Sequence, residues 1–109
     1  MKWMTVFAAV ATYGALASLG HAESVGRPQQ GRAMALSVCA ECHAVRQGDL
    51  RSPNDDAPPF ARIAATPGMT TIALTAALRT SHRTMPNIVL QPDEAADVIA
   101  YILSLRNGN

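Results

Sequence analysis

Two thiols and an imidazole fall within five residues of this chain, at Cys39-Ala40-Glu41-Cys42-His43, and no other stretch restricts its fold as much. Residues three and four apart share one face of a helix, so on a helix Cys39, Cys42 and His43 all point the same way. Several chemistries use a Cys-x-x-Cys pair. A thiol–disulfide centre accompanies a strand-rich βαβ pattern, and this chain has no alternating strand run and no hairpin turn. A structural zinc site needs a second ligand pair, and the chain has only two cysteines.

A histidine placed directly after the second cysteine points instead to covalent haem attachment. Two thiols on one face can add to the two vinyl groups along one haem edge, and the adjacent imidazole then reaches the iron from that side. The composition needs such a group. Residues 1–22 open on Met1-Lys2, run without charge from Trp3, and close on Gly20-His21-Ala22 before Glu23. A basic start, an apolar centre and a small-residue exit describe a secretory signal peptide, so we read 1–22 as a leader and 23–109 as the mature domain. An uncleaved membrane anchor is the alternative, because the run approaches the ~20 residues a spanning helix needs. Once the leader is removed, Phe60 and Tyr101 are the only aromatics left, a thin core for a small domain. A large apolar cofactor would fill it.

The charge balance is nearly even, with nine Lys+Arg against eight Asp+Glu, and Lys2 is the only lysine. That removes the basic footprint of a nucleic-acid binder. With 49% hydrophobic and 16% charged residues, the chain is not a disordered tail either.

The pattern is all-α. Pro28 suits the first position of a helix, which continues to about residue 40. Gly48, Pro53, Asn54, Asp55, Asp56, Pro58 and Pro59 make 46–59 a loop, and a short turn follows at 60–65 before Pro67-Gly68. Thr70 or Thr71 caps a second main helix running to about Ser81. Residues 82–91 read as loop. Pro92 opens a third main helix with Asp93 and Glu94 in its first turn, and Ala95, Val98, Ile102 and Leu105 form its core-facing stripe. Arg106 and Gly108 suit its end.

An iron held by His43 keeps an opposite face. His21 lies in the leader, which leaves His82 and the methionines Met34, Met69 and Met85. Met34 reads as core packing on the attachment helix, and Met69 as a staple for the following helix. Met85 stands in a loop stiffened by Pro86 and is the best candidate, with His82 second. A His/Met pair raises the reduction potential relative to two histidines.

Over nearly its full mature length the chain resembles the small class I cytochromes c. The matching residues are Cys39-x-x-Cys42-His43, Ala57-Pro58-Pro59-Phe60, Met85-Pro86, and the closing Asp93-Glu94-x-x-x-Val98-Ile99-x-Tyr101-Ile102-x-x-Leu105. The resemblance implies three main helices wrapped around one covalently bound haem c. It implies that Gly31, eight residues before Cys39, lets the first and last helices cross closely, with Tyr101 packing at that crossing. It also implies that the Pro58 carbonyl accepts the ring N–H of His43. By function it implies an exported, periplasmic one-electron carrier, not an enzyme, that exchanges electrons with redox proteins. Its donor would be a dehydrogenase or a quinol-oxidising complex, and its acceptor an oxidase or reductase. No nucleic acid or small-molecule substrate is involved, and membrane contact arises only through an uncleaved leader. A haem subunit of an exported dehydrogenase is one alternative, and a haem enzyme or gas sensor with an open sixth position is another. Three departures stand out: the mature part has no tryptophan, it has no ring of lysines, and Ala35 replaces an aromatic four residues before Cys39.

Overall fold

The computed structural model describes residues 25–80 and 84–108, so residues 1–22, expected to be a leader, and His82 and Arg83 lie outside the described residues. Helix α1 spans Pro28–Met34 and continues without a break into a wider π turn, Ala35–Cys39; α2 spans Phe60–Ala65, α3 Thr71–Arg79 and α4 Pro92–Ser104, with a 3-10 turn over Leu105–Asn107 closing the chain. No strand occurs among the described residues. The short turn expected after Phe60 is a helix of six residues. Helix α3 stops at Arg79, two residues before the expected end, because Thr80 turns extended.

Local chemistry accounts for each start. Pro28 and Pro92 occupy first-turn positions, where their missing N–H costs nothing. The Thr70 hydroxyl accepts the Ala73 N–H at 3.1 Å and caps α3. At the start of α4 the Glu94 carboxylate accepts the Gln91 N–H at 2.8 Å.

The crossing of α1 and α4 organises the domain. Gly31 is buried, and a β-carbon there would land on the Asp97 carbonyl oxygen of α4; one at Gly26 would land on the Ala96 carbonyl oxygen. Backbone therefore lies against backbone at two points. In an exposed helix, Gly to Ala gains about 1 kcal/mol, but here the sign should invert. Forcing the helices apart costs typically 1–3 kcal/mol, so Gly31→Ala should lower Tm by roughly 5–15 °C. A thermal melt that matches or exceeds the parent's would contradict this packing.

Asp97 faces the same seam and is 8% exposed. It accepts the Arg27 backbone N–H at 2.7 Å and the Arg27 guanidinium at 3.1 Å. The bond from the backbone N–H holds its carboxyl below the ordinary value; partial burial works the other way, and the guanidinium adds to the lowering. A depressed folded-state pKa stabilises above the unfolded carboxylate value, and the gain is lost as pH falls through the folded one. Asp97→Asn should therefore melt below the parent at neutral pH, and the gap should close in strong acid. A pH-independent gap would show that ionisation is not the cause.

The rest of α4 is more deeply covered than one stripe requires. Val98, Ile99, Tyr101 and Ile102 are all buried, while Ala95 and Leu105 are half-buried. The helix packs on α1 along one side and on α2 and α3 along others, so its apolar arc is wide. Phe60, Ala64, Leu74, Val45 and Ala35 complete the core. Arg106, expected to serve its own helix end, reaches across to α2 and the segment after it: its Nε donates to the Ala64 carbonyl at 3.2 Å and Nη2 to the Met69 carbonyl at 2.6 Å.

Candidate functional site

The π turn delivers the cysteine segment. The Ala40 N–H donates to the Ala35 carbonyl at 2.9 Å, and the His43 N–H to the Cys39 carbonyl at 2.9 Å. Such wide turns are rare and cluster at functional positions. From here the irregular loop over 46–59 folds back and ties down three consecutive residues. The Asn54 N–H donates to the Cys42 carbonyl at 3.1 Å, and the Phe60 N–H to the Ala44 carbonyl at 2.8 Å. Between them, the Ser52 hydroxyl accepts the Ala44 N–H at 3.0 Å. The loop is a brace for the motif.

The His43 ring is fixed by the same brace. Its Nδ1 donates to the Pro58 carbonyl at 2.7 Å. A carbonyl only accepts, so the proton sits on Nδ1 and the Nε2 lone pair is left available. A metal-binding imidazole needs this arrangement, and the carbonyl also makes the ring a better donor. The Phe60 ring stands 5.3 Å from the imidazole, tilted by 53°, and limits its rotation.

A cavity of about 330 Å³ opens beside the motif and is lined by Cys39, Cys42, His43 and Met85 together. Its wall is otherwise mostly apolar, with Phe60, Ile63, Leu74, Leu78, Val98 and Ile102 contributing. Met69 lines it too, which goes beyond the helix-stapling role expected of that residue, whereas Met34 packs on the core outside it. Glu41 and Asp56 are the charged residues on its wall. Tyr101 lies one helical turn beyond the Asp97–Gly31 contact. Its hydroxyl donates to the Val45 carbonyl and its ring stands 6.5 Å from Phe60, so it joins α4 to the end of the cysteine segment.

The donor set fits a haem. Both thiols are unpaired with each other, and they face the cavity beside an imidazole already oriented to offer Nε2. Burial pushes the Cys39 thiol above its ordinary value, the opposite of the low-pKa thiolate that thiol–disulfide chemistry uses. Among the described residues no group of three or more His, Cys, Asp or Glu side chains could hold a bare metal ion. The apolar wall suits a macrocycle.

Sequence reasoning missed Gly26, Ser52, Asn54 and Asp97. The Asp97–Arg27 contact joins residues 70 positions apart and left no local signature.

The chain is 38% identical over 76 residues to a protein named cytochrome c-552 from Bradyrhizobium diazoefficiens, an alignment that covers 70% of this chain and 72% of that relative. No family model matches the chain. No solved structure matches it either.

Proposed function

The chain belongs to the small c-type cytochromes, electron-transfer proteins with one covalently bound haem c, and from that premise we propose that Cys39 and Cys42 form the thioether links while His43 and Met85 ligate the iron from its two faces. The support is one juxtaposition: both thiols, the oriented imidazole and the Met85 thioether line a single apolar cavity. When bound, haem c supplies one-electron exchange as its iron alternates between ferric and ferrous states. The residues of this chain set the conditions for that exchange. The Pro58 carbonyl holds the His43 ring in place and keeps its proton on Nδ1. The apolar wall keeps water from the site, and a neutral thioether favours the reduced state over a second imidazole. The two sulfur links keep the cofactor from dissociating.

The partners are redox proteins. We place this carrier in the periplasm, with 1–22 as its export leader. Among the described residues, no helix is long and apolar enough to cross a membrane. Optical spectra of the matured ferric protein test the ligand pair. The weak long-wavelength charge-transfer band of a methionine-sulfur bond to ferric iron is the expected result. High-spin iron that binds carbon monoxide at once would indicate an open sixth position instead, and with it a sensor or an enzyme.

A further inference from the structure

A second recess, of about 210 Å³, shares Ala57 and Pro58 with the haem cavity but is otherwise built differently, with Arg51, Ser52, Asp55 and Arg62 on its wall. Both arginines are exposed, and among the described residues neither guanidinium has an ion-pair or hydrogen-bond partner. Two cations therefore border one concavity without an assigned anion. Ser52 adds an independent observation. It is 8% exposed, and its Oγ already accepts the Ala44 N–H at 3.0 Å. That bond leaves its hydrogen free to rotate and donate, and Ser52 lines the recess.

We propose that this recess binds a small oxyanion carrying one negative charge, gripped by Arg51, Arg62 and the Ser52 hydroxyl. Guanidinium groups present planar forks that match the paired oxygens of phosphates and carboxylates. The nearly buried hydroxyl supplies a third donor from the inner wall. Pro58 and Pro59 carry no N–H, so these side chains provide the donors on that side. Asp55 sets the charge: two guanidinium groups against one carboxylate accommodate one negative charge and repel a second. The site lies outside the haem-ligand set and does not depend on which residues bind the iron.

Calorimetric titration of the haem-loaded protein with inorganic phosphate tests the assignment, at mildly acidic pH and constant ionic strength. Saturable one-to-one binding is expected. By losing one charge-assisted contact, Arg62→Gln should weaken binding by about tenfold or more. Asp55→Asn should tighten it several-fold. Opposite signs at two neighbouring positions cannot arise from a general loss of fold. No saturable heat, an equal response to chloride, or variants that titrate like the parent would overturn the proposal. The visible spectrum of the same sample reports the haem separately, so missing binding beside an intact haem spectrum counts against the recess alone.

Discussion

Replacing both Cys39 and Cys42 by Ser should give a protein without covalent haem that is also largely unfolded. Loss of the cofactor follows from the chemistry, since serine hydroxyls do not form the thioether links. Loss of the fold follows from the packing. The cavity of about 330 Å³ lies among Phe60, Leu74, Val98 and Ile102, which are core residues. At about 24 cal/mol per Å³ of unfilled space, it represents up to ~8 kcal/mol, against a total stability of about 5–15 kcal/mol for an ordinary domain. Water entering the open side reduces that figure, but a domain with so few aromatics has little to spare. Far-UV circular dichroism of the double variant should show most of the helix gone at 25 °C. A cooperative melt with native helix content would show that the protein packs without the cofactor.

Met85→Ala should remove one of the two bonds proposed to the iron. The methionine-sulfur charge-transfer band should vanish, the ferric iron should become high-spin or take water, and small ligands should bind. The reduction potential should fall on the order of 0.1 V or more, a modest part of the ~0.8 V range over which axial ligands act. Met69 also lines the cavity, which makes Met69→Ala the informative control. That variant should keep the band and lose only packing, at roughly 2–3 kcal/mol, since the residue is half-buried. If Met69→Ala abolishes the band and Met85→Ala spares it, the two methionines exchange roles.

What could be read from the sequence was local. Pro28, Thr70 and Pro92 mark helix starts because each satisfies or omits a first-turn N–H within a few residues, and all three helices begin there. The cysteine motif was legible because its geometry is a property of a single turn. Gly31 is legible only through the resemblance, which places a glycine eight residues before the first cysteine, and the Asp97 carbonyl lies where its β-carbon would be. The loop over 46–59 was different. The resemblance supplies the bond from His43 to the Pro58 carbonyl, but the prolines and acids of the loop do not reveal that Asn54 bonds to Cys42 or that Ser52 and Phe60 bond to Ala44. Such contacts depend on the path of the folded chain. The reach of Arg106 to α2 and the segment after it is another of this kind: its position after α4 fits an end cap, yet the carbonyls it finds belong to Ala64 and Met69.

The central claim is that Cys39 and Cys42 are both bonded to one haem. A pyridine haemochrome spectrum, recorded with the intact mass of protein matured in a host that assembles c-type cytochromes, tests it most directly. The predicted result is the spectrum of a haem whose two vinyl groups are both saturated, a mass raised by one haem, and no thiol open to alkylation. A bare polypeptide mass with both cysteines alkylated would contradict it.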